Sequence, residues 1–233
     1  MDKLQLSAAL LFGGLAFPLY YFLSKGGRIA AIFQKAETGK QGSPAHLIVQ
    51  RLLGLLFLGI LPAIFILLTK GSLQSYGLRA PGSCFWWLLP LAASIVVLGY
   101  FAAGSASNKA MYPQIRKQIW NPGLLLVSAL SWLFFLLGYE FLFRGYLLFA
   151  SYNVLGTWPA IALNCSLYAL AHMYKGPRET FGAIPLGILL CWISLESGSI
   201  LYAFLLHGVM ALSNEWWSIS RNPEMKVRWK NRT

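Results

Sequence analysis

The sequence predicts an all-α protein, a polytopic transmembrane bundle of about seven or eight helices around a polar intramembrane cavity. Of its 233 residues, 57% are hydrophobic and 11% are charged, whereas an ordinary soluble domain carries about 25% charged residues. Several uncharged apolar runs reach the roughly 17 to 25 residues that a helix needs to cross a bilayer. The alternating segments of about ten residues that are typical of an outer-membrane barrel do not occur. We therefore expect one transmembrane domain over residues 1–233.

The apolar runs predict the spans in chain order. These are residues 4–23, 52–68, 84–103, 123–150, 158–174, 181–195 and 199–217. The fourth run is long enough to consist of two pieces that meet near Arg144, and the sixth is short, as expected of a tilted or partly buried helix. An amphipathic helix in the 24–51 or 104–122 link would be an eighth element.

The net charge of +12 comes from basic residues between the spans. Most of them fall in the 24–51 link, which holds Arg51, in the 104–122 link and in the C-terminal tail. The positive-inside rule places such segments in the cytoplasm. With seven spans, the C-terminus is then cytoplasmic and the N-terminus lies outside. No nucleic-acid-binding motif accompanies the basic charge, so we expect the lipid bilayer and no nucleic acid as a partner.

Few ionisable side chains interrupt the apolar spans. Four of them are candidate site residues: Glu140, Arg144, His172 and His207. A charge at the bilayer centre costs ~3 kcal/mol or more, so such residues usually face the bundle interior. Convergence on one polar cavity would solvate all four. A carboxylate and two imidazoles in such a cavity are the groups needed to activate water and stabilise an oxyanion.

Each of these residues also has a purely structural interpretation. Glu140 and Arg144 are four residues apart, share one helix face and could simply hold the bundle together. His172 could lie at a helix end, and His207 could hydrogen-bond between helices.

Weaker candidates lie near the ends of the spans. Glu179 could be a solvated acid in the first turn of a helix. Asn214 lies about two turns after His207 on the same face. Glu196 and Glu215 are interpreted as interface charges. The three cysteines, in or beside apolar runs, are interpreted as small buried residues and suggest neither a disulfide framework nor a zinc site.

Three ordered motifs resemble the CPBP family, also called Abi or CAAX-protease-like, the intramembrane proteases related to the Ras-converting CAAX endopeptidase. The family's E-E-x-x-x-R motif, usually continued as F-R-G, corresponds to Tyr139–Gly145. Its F-x-x-x-H motif corresponds to Tyr168–His172, and its H-x-x-x-N/D motif to His207–Ala211. "YGLR" at Tyr76–Arg79 also resembles the family. The core that carries the three motifs covers roughly residues 123–217.

Two catalytic positions depart from the family pattern. Tyr139 stands where relatives keep the first Glu, the base that activates water, and Ala211 stands where they keep the Asn of the oxyanion site. Some bacterial relatives instead resemble "HMYKGPRE", in which His172 and Glu179 are in register. The acid could then come from Glu140 or from Glu179, folded back because Gly176 and Pro177 break the helix.

The resemblance implies an intramembrane endopeptidase of a prokaryotic cytoplasmic membrane, acting on a peptide or membrane-anchored protein. Glu140 or Glu179 would be the base, His172 would polarise water, and His207 would stabilise the oxyanion with help from Asn214. Arg144 would hold the charge and orientation of the acid. Such chemistry requires no cofactor, and a divalent metal is compatible with the residues but not favoured. The alternative is an inactive relative that binds a membrane-protein partner, as an assembly subunit or an immunity protein.

Overall fold

The computed structural model describes residues 2–25 and 44–229, and these are almost entirely helical. The first half contains α1 (Asp2–Leu11), α2 (Phe17–Lys25), α3 (Pro44–Leu55), α4 (Leu61–Leu68), α5 (Leu88–Ala102) and α6 (Ala106–Met111). The second half contains α7 (Pro122–Glu140), α8 (Leu148–Leu155), α9 (Thr157–His172), α10 (Pro177–Ser197) and α11 (Leu201–Ser220). The all-α prediction is confirmed.

Within residues 2–25 and 44–229, three π-helical segments join consecutive α-helices into longer continuous helices. They are Phe12–Ala16, Leu56–Ile60 and Phe141–Leu147. Short 3₁₀ turns occupy Leu73–Tyr76 and Met173–Lys175, and two short strands, β1 (Ile119–Trp120) and β2 (Lys226–Val227), pair in parallel.

Helices cover all seven predicted spans, because long apolar runs satisfy their backbone groups in lipid only as helices. Four helical stretches among the described residues are long and apolar enough to cross a membrane: Asp2–Ser24, Pro44–Leu68, Pro122–Leu155 and Pro177–Ser197. The protein is therefore a multi-pass membrane protein. Within the 104–122 link, α6 is a short helix capped by Ser105, whose hydroxyl accepts from the Asn108 amide at 3.2 Å. An amphipathic helix was also predicted in the 24–51 link. Residues 26–43 of that link, with most of its basic residues, lie outside the described residues, and 44–51 form the start of α3.

Local sequence sets the ends of the helices that carry the motifs. Gly176, at φ 96°, ends the turn after α9, and Pro177 starts α10. Proline suits a first helical turn because that turn's N–H groups have no partner within the helix. The predicted break at Gly176 and Pro177 is confirmed. Gly198, in the left-handed region at φ 64°, ends α10. The sixth span is thus six residues longer than predicted, because the polar residues around Glu179 belong to its first turn.

The described residues divide into two compact units. Unit 1 comprises Met1–Phe22, Gly54–Cys84 and Leu136–Leu205. Unit 2 comprises Leu23–Leu53, Phe85–Phe135 and Leu206–Thr233. The expectation of a single domain stays a prediction. In unit 1, α10 packs along α9, and α1 packs along α8. In unit 2, Leu47, Ile115, Trp120 and Ile219 form a buried cluster.

Candidate functional site

A buried ion pair occupies the centre of unit 1. Nη1 of Arg144 lies 3.5 Å from both carboxylate oxygens of Glu140, and both side chains are 0% exposed. The guanidinium carbon lies 3.9 Å from the centre of the Tyr168 ring, a cation–π contact. Pairing offsets part of the cost of removing two charges from water. The predicted partnership of Glu140 and Arg144 is therefore present.

Arg144 lies within the π-helical segment Phe141–Leu147, so the fourth span is one continuous helical run and not two pieces. A π-helical turn displaces backbone carbonyls from their usual partners, and such turns are frequent at functional sites. The Asn164 amide donates to the Phe143 carbonyl of this segment and accepts from the Cys191 thiol at 3.2 Å. Side chains of α9 and α10 therefore support the backbone that carries Arg144.

Tyr139 and His172 meet beside this ion pair. The Tyr139 hydroxyl lies 3.5 Å from Nδ1 of His172, and the same nitrogen lies 2.9 Å from the Tyr168 carbonyl. Because a carbonyl only accepts, Nδ1 carries a proton, and in the neutral ring the lone pair is then on Nε2. Tyr139, which stands where relatives keep the first Glu, therefore faces His172 of the second motif.

Aromatic rings cover this arrangement. Phe17 packs edge-on against Tyr139 at 6.4 Å between ring centres, and also contacts Tyr21 and Tyr174. Tyr21 and Tyr174 are 5.2 Å apart. Glu140 is fully buried and His172 is 7% exposed. The structure therefore describes a closed arrangement, and a polar cavity around these residues stays a prediction.

Glu179 lies on the surface of unit 1, in the first turn of α10. Its side chain is 44% exposed and lies 3.9 Å from Nζ of Lys175. This matches the interpretation of Glu179 as a solvated first-turn acid. Its participation as a second carboxylate stays a prediction.

His207, Ala211 and Asn214 belong to α11 in unit 2. His207 is buried at 8% exposure, whereas Ala211 and Asn214 are partly buried. Their predicted roles at an oxyanion are neither supported nor opposed by this unit alone.

A second buried ion pair in unit 2 was missed by the sequence analysis. Nη2 of Arg51 lies 3.6 Å from Glu215, and the two side chains are 3% and 1% exposed. The interpretation of Glu215 as an interface charge is therefore wrong, whereas Glu196 is exposed as expected. Burial of this ion pair is tolerated because both charges are hydrogen-bonded. Nη1 of Arg51 donates to the Ser128 and Ser131 hydroxyls at 3.1 and 2.9 Å. The Ser128 hydroxyl donates to Glu215 at 3.2 Å.

The YGLR segment is fixed to the glycine of the first motif in unit 1. A Cβ at Gly145 would lie 2.8 Å from the Tyr76 carbonyl, so only glycine permits this close approach. Nε of Arg79 donates to the Gly198 carbonyl at 2.7 Å, and the Ile200 amide donates to the Gly77 carbonyl at 3.0 Å. Burial raises the pKa of the Tyr76 hydroxyl, and the negative charge of Asp2 adds to this shift. The YGLR segment, which also resembles the family, therefore lies against the first motif.

Metal-ligating side chains do not gather in the described part of the chain. Among residues 2–25 and 44–229, no three His, Cys, Asp or Glu side chains cluster as metal ligands. The Glu140 carboxylate faces a guanidinium, whose positive charge opposes a nearby cation. The prediction of cofactor-independent chemistry is not tested by this arrangement.

Fold and site together define a multi-pass helical membrane protein that buries a Glu–Arg pair beside a histidine. A family model described as "Type II CAAX prenyl endopeptidase Rce1-like" matches residues 120–213, about two-fifths of the chain. The resemblance to the CAAX-protease-like family is thereby confirmed over this stretch, which includes Glu140, Arg144, His172 and His207. Asn214 lies just outside it. No curated protein and no solved structure matches the chain.

Proposed function

We propose that this protein is a CPBP-type intramembrane endopeptidase that cleaves a peptide or membrane-anchored protein with water activated by Glu140 and His172. One observation carries the proposal. The chain buries an acid paired to Arg144 immediately after Tyr139, whose hydroxyl contacts His172. The Rce1-like match over the same residues supports the reaction class.

The chemistry assigned to each group follows from its charge state and surroundings. Arg144 keeps Glu140 ionised, so the carboxylate can take a proton from water as the oxygen attacks the peptide carbonyl. Glu140 then returns that proton to the leaving amine. Nε2 of His172 carries a lone pair and accepts a hydrogen bond from the same water.

His207 is assigned to the oxyanion on the strength of its motif. Asn214 is the proposed second donor, because Ala211 stands where relatives keep an Asn. Preorganised donors at such a position are worth about 10²- to 10³-fold in kcat. The proposal includes no metal, because a carboxylate can activate water alone.

Water must first reach the acid. Glu140 is fully buried, and Phe17 packs against the neighbouring Tyr139. Catalysis therefore requires a movement that exposes the carboxylate to water, which substrate binding would supply.

The proposed location is a prokaryotic cytoplasmic membrane with the C-terminus inside. The basic residues of the C-terminal tail and of the 104–122 link support this orientation, whereas the prokaryotic membrane is what the family resemblance implies. The substrate would then enter from the cytoplasmic side.

Cleavage by the purified protein tests the proposal. The reconstituted protein is offered a peptide library and a lipid-modified reporter, and the wild type is compared with Glu140→Gln and His207→Ala. Cleavage by the wild type that both variants lose supports the peptidase. An intact reporter, with a membrane protein co-purifying at fixed stoichiometry, supports the inactive binding relative instead.

A further inference from the structure

Two buried cysteines belong to one apolar cluster in the interior of unit 1. Cys165 on α9 and Cys191 on α10 share this cluster with Leu148, Ala160 and Ile161. Their side chains are 6% and 0% exposed, and α9 packs along α10. Both thiols are free, so no disulfide joins α9 to α10 in this state.

Gly187 makes room for this thiol pair. A Cβ at Gly187 would lie 3.2 Å from Sγ of Cys165 and 3.7 Å from Nη2 of Arg144. Cys191 is one turn further along α10, on the same face as Gly187. The thiols therefore lie close to a fixed positive charge, which stabilises the negative charge that develops on sulfur during thiol–disulfide exchange.

Cys165 is also the thiol that an apolar reagent can reach. A groove of about 340 Å³ runs between α9 and α10, and Cys165 lies in its wall with Trp158, Ile161 and Ile188. Cys191 is 0% exposed and lies behind it. The pair thus has an outer sulfur and an inner one, the arrangement of an attacking and a resolving cysteine.

We propose that Cys165 and Cys191 form a redox modification site that closes to a disulfide between α9 and α10 when a small apolar disulfide enters the groove. Cys165 sulfur attacks the reagent, the reagent's S–S bond breaks, and one reagent thiol leaves. Cys191 sulfur then attacks Cys165 sulfur and releases the second reagent thiol. Both cysteine protons end on the reagent thiols, and the reagent gains the two electrons that the protein loses.

Formation of the disulfide would break the hydrogen bond between Cys191 and Asn164, near the Glu140–Arg144 pair. The Cys191 thiol donates to the Asn164 carbonyl oxygen, and Asn164 donates to the backbone segment that carries Arg144. A disulfide sulfur has no proton to donate. Oxidation therefore removes one of the two contacts that hold the Asn164 side chain.

The test uses full-length protein in proteoliposomes and the uncharged reagent dithiodipyridine, with exposed Cys84 replaced by Ser. We expect two thiopyridone molecules released per protein, no reagent attached, and an intact mass lower by two hydrogen atoms. The Cys84→Ser protein that also carries Cys191→Ala should release one thiopyridone and keep one stable mixed disulfide. The Cys84→Ser protein that also carries Cys165→Ala should release no thiopyridone until it is denatured. Reagent attached at both cysteines, or two free thiols remaining in the Cys84→Ser protein, would overturn the proposal without bearing on the peptidase.

Discussion

The hydroxyl of Tyr139 lies 3.5 Å from Nδ1 of His172, at the position where the related family keeps its first catalytic acid. A phenol can hold the imidazole in place but cannot act as a base near neutral pH, since its ordinary pKa is about 10. The adjacent Glu140 is therefore the carboxylate left in the first motif.

Tyr139→Phe tests whether this hydroxyl helps to position His172. Loss of one net hydrogen bond, about 1 kcal/mol, should lower kcat about fivefold and leave KM unchanged. Tyr139→Glu, which recreates the paired acids of the family, should raise kcat. Steady-state cleavage of one reporter measures both effects. Equal rates for wild type and Tyr139→Phe would show that the contact has no part in the reaction.

Glu140 and Arg144 should depend on each other for stability. Glu140→Gln alone leaves a buried guanidinium without its counter-charge and should cost about 3 to 5 kcal/mol, as breaking a buried pair does. Arg144→Met alone should cost a similar amount, whereas the double variant should lose less than the sum. A double-mutant cycle on unfolding in mixed micelles measures the coupling. Additive losses would contradict the pairing.

Breaking the Arg51–Glu215 pair should lower the free energy of unfolding by a similar amount. Glu215→Ala should cost about 3 to 5 kcal/mol, because Arg51 and the serines around it lose a buried partner. Glu196→Ala is the matched control: Glu196 is exposed, so its loss should stay within about 0.5 kcal/mol. Thermal unfolding of the two variants provides the comparison. Equal midpoints would show that the buried pair contributes nothing.

Gly145 should not tolerate a methyl group. Gly145→Ala places a Cβ 2.8 Å from the Tyr76 carbonyl and should cost about 1 to 3 kcal/mol. Gly182→Ala, also in a helix, meets nothing within 4 Å and should be neutral or stabilising. Unfolding midpoints distinguish the two. A stable Gly145→Ala protein would mean that the YGLR segment is not held against the first motif.

Hydropathy located the helices because lipid permits few alternatives to a long apolar helix, so spans such as 199–217 fall within a few residues of the observed α11. The ends were less accurate where charged residues belong to a first helical turn, as at Glu179. The Glu140–Arg144 pair was predictable from a spacing of four residues.

The Arg51–Glu215 pair joins residues far apart in sequence, and each lies near the end of an apolar run, where a charge is unremarkable. The serines at 128 and 131, three residues apart in the apolar run before Glu140, were the signal that a buried polar partner was needed. The contact between Tyr139 and His172 depends on how α9 packs against the segment Phe141–Leu147 that follows Tyr139, which no local pattern encodes.

The cleavage rates per folded molecule of wild type, Glu140→Gln and Glu179→Gln on one reporter decide whether Glu140 is the general base. Both variants neutralise one acid in nearly the same volume, and they differ in whether that acid is buried beside Tyr139 or exposed beside Lys175. We expect Glu179→Gln to cleave like the wild type and folded Glu140→Gln to lose about 10²-fold or more, the usual contribution of a general base. No cleavage by the wild type, or full activity in Glu140→Gln, would show that Glu140 is not the base.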